Sequence, residues 1–290
     1  MQTQFQILDG KRVSEEILKR LKSRVYEFKQ NWGRGPSLHV ILVGEDPASQ
    51  IYVGRKEKMA SEIGMDSKVW KLDSKVTQAE LETVLLGRIQ DPGVDGILVQ
   101  LPLPKGLHAD RILGMIPFEK DVDGFSEQAV GALVSGRPLA VSCTPAGVME
   151  ILKYYKIDVK GKNCVVVGRS QIVGKPMSML LLNADATVTT CHSKTQGLTD
   201  FTRQADLVVV AAGKPHFLKA LDFKKGAIVI DVGIHRDENN RVIGDVDPDG
   251  LSNVVAAATP VPGGVGPMTI AMLLENTLKI AEYRMEKGLS

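Results

Sequence analysis

The residues from Val165 to Pro176 combine a buried-strand pattern with a glycine turn. A run of valines leads into Gly168, and Gly174 precedes a predicted helix. Such a turn lets backbone N–H groups at a helix N-terminus approach a phosphate. The spacing departs from Gly-x-Gly-x-x-Gly, because Ser170 takes the place of the second glycine and the last glycine comes one residue late. The pattern indicates a nucleotide site, with an ordinary tight turn between a strand and a helix as the alternative.

The residues around this turn favour NADP over NAD. In NAD enzymes an acidic residue about 20 positions beyond the turn binds the ribose 2′-hydroxyl. Here the predicted strand Thr187–Cys191 is followed by His-Ser-Lys-Thr, which holds no carboxylate. A carboxylate would repel a 2′-phosphate, whereas Ser193 and Arg169 can bind one. A polar loop without a ligand is the alternative for this segment.

Tyr52 and Lys56 form a second candidate pair. Their i,i+4 spacing puts both side chains on one face of a helix predicted from about Pro47 to Ile63. A lysine beside an aromatic ring and partly removed from water is suited to proton transfer. A solvated lysine lying along a surface tyrosine is the competing interpretation.

Three further segments place polar or flexible residues where a ligand could contact them. Gln100 interrupts the predicted strand Gly96–Leu101 at its carboxyl end, where open α/β sheets bind ligands, although it could also be a structural amide. Asp121 and Asp123 could bind a cation or form a turn. The glycine-rich segment 260–267 is either a hinge or a loop that closes on a substrate.

The first half of the chain alternates predicted helices with short apolar strands. The first helix has an apolar residue every three or four positions: Val13, Ile17, Leu21, Val25 and Phe28. Apolar runs predict strands at Leu38–Val43, Val69–Trp70 and Gly96–Leu101. Thr77 and Glu80 form a capping box at the start of a helix between the last two. Strands separated by helices indicate βαβ units and a parallel sheet.

The second half repeats this alternation, which indicates a second α/β domain. Thr144, as an N-cap before Pro145, predicts the start of a linking helix that runs to about Tyr155. The strands that follow are apolar runs suited to a sheet covered on both faces: Asn163–Val167, Thr187–Cys191, Leu207–Ala211, Ala227–Asp231 and Val254–Ala258. A last helix is predicted at about 267–285.

Composition limits the class of protein. The chain has 290 residues, 43% of them hydrophobic, and a formal net charge of +2, which fits a globular protein of two domains. The balanced charge predicts no nucleic-acid or membrane partner, and neither a membrane span nor a signal peptide is expected. Three separated cysteines suggest no metal site and fit a reducing, cytoplasmic compartment. Four histidines show no partner spacing and are interpreted as structural or surface residues: His39, His108, His216 and His235.

Eight motifs in order along nearly the whole chain resemble those of the bifunctional methylenetetrahydrofolate dehydrogenase/cyclohydrolase family. They are Tyr52-x-x-x-Lys56, Val99–Pro104, Lys120–Gly124, Cys143–Gly147, Val167–Gly174, Thr190–Ser193, Asp231–Ile234 and Thr259–Thr269. The resemblance implies two activities on one folate. NADP⁺ takes a hydride from 5,10-methylenetetrahydrofolate, and water then opens the resulting 5,10-methenyl cation to 10-formyltetrahydrofolate, a reaction sequence of one-carbon metabolism and purine biosynthesis.

The resemblance also implies the domain organisation. We expect two α/β domains with parallel sheets and a cleft between them. Residues 1–143 would form a folate-binding catalytic domain, to which the C-terminal helix, about 268–290, returns. Residues 144–267 would form a Rossmann-type NADP-binding domain, which would also provide the contact of a homodimer.

By the same resemblance, individual residues receive roles. Lys56 is the key cyclohydrolase residue, with Gln100 orienting it. Tyr52 stacks on the folate and Asp123 holds the pterin ring. The other substrate-binding residues are Val99, Leu101, Pro262, Gly263, Gly264, Val265 and Gly266. The cofactor-binding residues are Gly168, Arg169, Ser170, Ser193 and Ile234.

Two alternatives to this function stay open at the level of sequence. One is a dehydrogenase without cyclohydrolase activity, which could dispense with Tyr52, Lys56 and Gln100. The other is a non-enzymatic NADP-binding sensor, which would have no need of the substrate-side motifs in the first half.

Overall fold

The structure is a computed structural model, in which residues 5–289 are described. The chain divides into two compact units. The first-half unit contains Glu16–Val141 and the described residues from Leu273 onward. The second-half unit contains the described residues up to Glu15 together with Ser142–Met272.

Strands and helices alternate along the described residues, as the sequence predicts. The strands are β1 (Gln6–Ile7), β2 (Ser37–Val43), β3 (Asp66–Leu72), β4 (Gly96–Val99), β5 (Asn163–Val167), β6 (Thr187–Cys191), β7 (Leu207–Val210), β8 (Ile228–Asp231), β9 (His235–Arg236), β10 (Val242–Ile243) and β11 (Ala257–Ala258). The α-helices are α1 (Gly10–Trp32), α2 (Pro47–Glu62), α3 (Gln78–Ile89), α4 (Ala109–Met115), α5 (Glu127–Val134), α6 (Cys143–Tyr154), α7 (Gly174–Asn183), α8 (Leu198–Thr202) and α9 (Val265–Glu286). Short 3-10 helices lie at Phe118–Lys120, Ala220–Asp222 and Leu251–Asn253.

The first-half unit has a parallel sheet of three strands in the order β3-β2-β4. The central strand β2 is buried over nearly its whole length, which its apolar run predicts. The predicted apolar face of α1 is at most 3% exposed, at Val13, Ile17, Leu21, Val25 and Phe28. The capping box of Thr77 and Glu80 is present at the start of α3. The βαβ interpretation of this part of the chain is confirmed.

The second-half unit has a parallel sheet of six strands in the order β1-β11-β8-β7-β5-β6. The strands β6 and β7 follow β5 in the chain but lie on its two sides. This reversal of strand order opens a crevice at the carboxyl ends of the strands, where doubly wound sheets bind ligands. An antiparallel hairpin of β9 and β10, which the sequence did not predict, follows β8.

The start of α6 differs from the prediction. The helix begins at Cys143 after Ser142, so Thr144 lies inside the first turn and is not the cap. Its hydroxyl lies 3.2 Å from that of Thr269. The first-turn N–H groups of a helix have no partner within the helix, so a proline is tolerated at several positions there and does not fix the capping residue.

Strand ends also differ from the predictions. β4 ends at Val99, so Gln100 and Leu101 lie beyond it, although the Gln100 N–H still bonds the Ile41 carbonyl at 2.9 Å. β11 keeps only two residues of the predicted strand Val254–Ala258. The edge strand β1 escaped prediction because its two residues carry no periodic signal.

Buried ion pairs fix the C-terminal part of α9 within the first-half unit. The carboxylate of Asp95, which is fully buried, accepts two hydrogen bonds from Arg34 at 2.6 and 2.9 Å and lies 3.5 Å from Arg284 Nε. Asn276 donates to the carbonyls of Val122 and Val141. Because removing one partner from such a group leaves a buried charge uncompensated, these contacts specify one position for the helix. No helix among residues 5–289 is both long and apolar enough to cross a membrane.

The neutral form of His39 is built into the first-half sheet. This residue of β2 is 9% exposed, and its Nδ1 accepts a hydrogen bond from Trp70 Nε1 at 3.3 Å. Burial, with repulsion from Arg88, lowers the pKa of His39 from 6.5 to about 4. The side chain is thus structural, in agreement with the interpretation from the sequence.

A pH dependence of stability follows from His39. Between pH 6.5 and 4 the unfolded chain binds a proton at this residue and the folded chain does not, so the free energy of unfolding falls as the pH falls. The contribution lost is up to about 3 kcal/mol. Urea unfolding at several pH values should show a smaller fall for His39→Gln than for the wild type. The exposed His108→Gln variant should follow the wild type, and an equal fall in all three proteins would contradict the assignment.

Candidate active site

Lys56, Gln100 and Tyr52 form a connected group in the first-half unit. Lys56 Nζ donates a hydrogen bond to Gln100 Oε1 at 3.0 Å and lies 5.7 Å from the centre of the Tyr52 ring. Gln100 Nε2 in turn donates to the Leu101 carbonyl at 2.6 Å. This second bond orients the amide, so that its oxygen, the acceptor, faces the lysine.

The positions of these side chains follow from local sequence. Asp46 is the N-cap of α2 and accepts a hydrogen bond from the Ser49 N–H at 2.8 Å. Pro47 follows as the first residue of the helix, a position that suits proline. Two turns into the helix, the i,i+4 spacing places the tyrosine and the lysine on one face. Lys56 is only 7% exposed, so the alternative of a solvated surface lysine is wrong.

The two aspartates of Lys120–Gly124 have separate tasks. Asp121 is buried and accepts hydrogen bonds from the N–H groups of Gly124 at 2.9 Å and Ser126 at 2.7 Å. It therefore holds a turn, as one of the two interpretations proposed. Lys120 is buried as well and donates to two backbone carbonyls. Among residues 5–289, no three histidine, cysteine or acidic side chains are grouped so that they could hold a metal ion.

Asp123 adds a carboxyl group that is electrostatically coupled to Lys56. Burial raises the pKa of Asp123 to about 6, the positive charge of Lys56 opposes the rise, and Asp121 adds to it. Near neutral pH this carboxyl group can therefore accept hydrogen bonds as an anion or, in its protonated fraction, donate one. An amine, an amide oxygen and an adjustable carboxyl group can together bind a polar heterocycle and move a proton.

The other predicted substrate residues fall into two places. Val99 is buried at the end of β4 and Leu101 follows Gln100, so both belong to the same part of the first-half unit. The segment Pro262–Gly264 is a loop of the second-half unit, in which Gly263 has a φ of +105°. Val265 and Gly266 are not part of this loop, because α9 already begins at Val265.

A cavity of about 240 Å³ lies at the carboxyl ends of β5 and β7 in the second-half unit. Four of the predicted cofactor-binding residues line it: Gly168, Arg169, Ser170 and Ser193. The remaining lining residues are Val167, His192, Leu198, Ala211, Ala212, Lys214 and Phe217. Ile234 is not among them; it is 56% exposed and lies beside Gly266.

The glycine turn has the close backbone packing that a phosphate-binding turn requires. Gly168 has a φ of +140°, and a Cβ there would collide with the Ala211 carbonyl. A Cβ on Gly174 would collide with the Gly168 carbonyl. Gly174 therefore allows the close packing that the third glycine of Gly-x-Gly-x-x-Gly provides, although it lies one residue later. Ser170 Oγ accepts hydrogen bonds from the N–H groups of Val173 and Gly174, the residues at which the turn enters α7.

The charges around the cavity fit a dinucleotide that carries an additional phosphate. Arg169 and Lys214 are cationic, Ser170 and Ser193 carry hydroxyl groups, and no lining residue is acidic. An NAD site would be expected to hold a carboxylate for the ribose. Sequence reasoning missed His192 and Lys214 as lining residues. Their position just beyond the carboxyl ends of β6 and β7 is the signal that could have found them.

Two family models match this chain in consecutive segments. Residues 8–123 match the model described as the catalytic domain of tetrahydrofolate dehydrogenase/cyclohydrolase, and residues 142–285 match its NAD(P)-binding domain. A protein of Bdellovibrio bacteriovorus named bifunctional protein FolD is 54% identical over 279 residues, which are 96% of this chain and 97% of the relative. The bifunctional protein FolD of Campylobacter hominis is 51% identical over 283 residues, 98% of this chain and 99% of the relative.

Solved structures show the same similarity. The bifunctional FolD methylenetetrahydrofolate dehydrogenase/cyclohydrolase of Campylobacter jejuni superposes with a TM-score of 0.93 at 49% identity, covering 97% of this chain and 99% of that one. The FolD enzyme of Trypanosoma brucei, solved in complex with its NADP cofactor and an inhibitor, has a TM-score of 0.91 at 38% identity and covers 96% and 98% of the two chains.

Proposed function

This chain belongs to the tetrahydrofolate dehydrogenase/cyclohydrolase family, and we propose from that membership that it is a bifunctional enzyme of one-carbon folate metabolism. It oxidises 5,10-methylenetetrahydrofolate with NADP⁺ to the 5,10-methenyl cation. It then hydrolyses this cation to 10-formyltetrahydrofolate. The observation that carries the second activity is the hydrogen bond of buried Lys56 to Gln100 Oε1, since a dehydrogenase alone has no use for it.

In the first reaction, the residues of the chain bind and orient the reactants. NADP⁺ supplies the acceptor for the hydride that leaves the methylene carbon of the folate. No protein acid or base is needed for this transfer, so positioning accounts for most of the catalysis. We assign the pyrophosphate to the turn Gly168–Ser170, whose backbone packs tightly at the start of α7, and the 2′-phosphate to Arg169 and Ser193.

In the second reaction, a proton must leave the water molecule that attacks the methenyl carbon. We assign its acceptance to the Nζ atom of Lys56, which Gln100 Oε1 orients by accepting an N–H. Asp123, coupled to the lysine, compensates the positive charge that Nζ gains and holds the polar edge of the pterin. Tyr52 offers its ring face to the folate. When the C–N5 bond of the adduct breaks, the hydroxyl proton of the adduct passes to N5 and the formyl group stays on N10, and the proton taken up by Lys56 is then released to water.

The assembly and the setting of the enzyme are further parts of the proposal. We propose a homodimer whose contact lies on the second-half unit; support comes from its edge strand β1 and from the exposed side chains of Ile7 and Leu221. Light scattering should give twice the chain mass of 31.5 kDa. Three buried, unbridged cysteines support a reducing, cytoplasmic setting, and the 10-formyl product supports a role in purine biosynthesis.

The function is tested by following the methenyl cation spectrophotometrically with NADP⁺ as oxidant. The wild type should form the cation and then consume it faster than the uncatalysed hydrolysis. Formation without accelerated decay would leave only a dehydrogenase. Absence of formation, together with NADP⁺ binding, would instead favour a non-enzymatic binding protein.

Replacement of Lys56 should separate the two activities. Lys56→Met keeps the length of the side chain but removes the amine, so the cyclohydrolase rate should fall about 100-fold or more. The dehydrogenase activity should persist at a measurable level, because hydride transfer does not use that proton. The control is Lys58→Met, on the same helix but with a side chain that is 77% exposed, and it should keep both activities. Equal loss of both activities in folded Lys56→Met would contradict this role.

Replacement of Arg169 should separate the two cofactors. A charge-assisted hydrogen bond to phosphate contributes roughly 1.5–3 kcal/mol, so Arg169→Ala should lower kcat/KM for NADP⁺ about 10- to 150-fold. The value for NAD⁺, which lacks the 2′-phosphate, should change much less. Ser193→Asp should go further, because it adds repulsion toward NADP⁺ and an acceptor for the NAD⁺ ribose.

The exposed Lys175, next to the turn but outside the cavity lining, provides the matched control for Arg169. Lys175→Ala removes one positive charge from the same neighbourhood and should leave the ratio of the two cofactors unchanged. If Arg169→Ala lowers kcat/KM for both cofactors by the same factor, Arg169 shapes the turn and does not recognise the phosphate.

A further inference from the structure

We infer that Asp245 is a positioning residue for the nucleotide cavity, which it shapes by holding the loop Ala212–Lys214, with His235 as its partner. The inference deepens the proposed function and rests on it, because it concerns the NADP site. Asp245 lies beyond the end of β10 and was not among the residues predicted to form that site. It lines neither the cavity nor the glycine turn itself.

The carboxylate of Asp245 holds the backbone of one loop by hydrogen bonds. It is fully buried, and it accepts hydrogen bonds from three consecutive N–H groups. Oδ2 accepts from Ala212 at 2.6 Å and from Gly213 at 2.9 Å, and Oδ1 accepts from Lys214 at 3.0 Å. This loop follows the end of β7, where no neighbouring strand offers a partner for its N–H groups, so the carboxylate takes that place.

The segment held in this way is part of the cavity lining. Ala212, Lys214 and Phe217 all line the cavity. The backbone carbonyl of Asp245 accepts the N–H of Phe217 at 2.6 Å, so the residue holds both ends of the segment. The segment also continues from Ala211, whose carbonyl packs directly against Gly168 of the turn. A displacement of this loop would therefore change the space available to the nucleotide.

Two further contacts fix Asp245 in turn. His235 Nε2 donates to Asp245 Oδ1 at 2.7 Å, which adds a fourth donor to the carboxylate. Asp231, at the end of β8, accepts the backbone N–H groups of Asp245 at 3.0 Å and Val246 at 2.9 Å. The side chain of His235 is 21% exposed, so it can be replaced with less disturbance than the fully buried carboxylate.

Asp245→Asn is the direct test, because it preserves size while it changes the pattern of donors and acceptors. An amide has one acceptor oxygen, which can keep the bonds of Ala212 and Gly213, but its NH₂ group then faces the N–H of Lys214. We expect the Kd for NADP⁺, measured by titration calorimetry, to rise about tenfold or more. The KM for NADP⁺ should rise by the same factor, kcat should change less than about threefold, and cyclohydrolase activity assayed without NADP⁺ should be retained. Hydrogen exchange at the amides of residues 212–214 should accelerate.

The matched control is Asp237→Asn, in the turn of the β9–β10 hairpin that precedes Asp245. Asp237 also accepts backbone hydrogen bonds, from Asn239 and Arg241, but these bonds lie within the turn and Asp237 does not line the cavity. Its replacement should leave the Kd for NADP⁺ unchanged. An equal Kd for the Asp245→Asn and Asp237→Asn proteins would overturn the inference, and so would a parallel loss of cyclohydrolase activity in Asp245→Asn.

His235 provides a second test, which decides the question if Asp245→Asn does not fold. His235→Leu removes the donor and should raise the Kd for NADP⁺ several-fold, whereas His235→Gln places an N–H donor at similar reach and should restore binding. Equal Kd values for the Leu and Gln variants would overturn the inference. A wild type that binds NADP⁺, with variants that bind it equally well, refutes only this inference, whereas a wild type without NADP⁺ binding refutes the proposed function as well.

Discussion

The burial of one lysine amine is the constraint on which the candidate folate site depends. Removing an ammonium group from water costs several kcal/mol unless partners compensate it, so a buried lysine persists only where the surrounding chain provides them. Lys56 has such partners in the Gln100 oxygen and the charge of Asp123. The same partners are suited to catalysis, because an amine that is held in place and coupled to a titratable carboxyl group can gain and release a proton.

That constraint extends outward to the elements that hold each partner. Gln100 must present its oxygen and not its NH₂ group, and the bond from its Nε2 to the Leu101 carbonyl secures this orientation. Asp123 must stay near the lysine, and the turn that carries it is closed by Asp121. Gln100 and Asp123 are thus each positioned by a residue one or two places away in the sequence. This explains why the candidate site residues occur in short motifs.

The sequence predicts the periodic and local features of the fold correctly, but it does not predict the features that depend on tertiary contacts. The buried face of α1, the strands β5 and β6 and the capping box at Thr77 follow from patterns over a few residues. The burial of Lys56 could not be read from its i,i+4 spacing, since a solvated lysine has the same spacing. β1 exists only because β11 pairs with it from the other end of the chain, and Thr144 is not the predicted cap because the helix starts two residues earlier than predicted, at Cys143. Such features depend on contacts between distant residues, which short patterns do not contain.

A common physical solution holds the functional loops of both units. Loops at the carboxyl ends of parallel strands leave backbone N–H groups without ladder partners, and a buried group of this kind needs an acceptor. In the second-half unit two buried carboxylates accept such groups, Asp231 in the loop after β8 and Asp245 in the loop after β7. In the first-half unit Asp121 does the same for the loop that follows the 3-10 helix Phe118–Lys120, in the motif of the candidate folate site. Several short, charge-assisted bonds to one side chain fix a loop more firmly than single neutral bonds would. The acidic residues of these motifs therefore include loop anchors as well as the candidate catalytic group Asp123, so the backbone partners of an aspartate decide whether it anchors a loop or is available for chemistry.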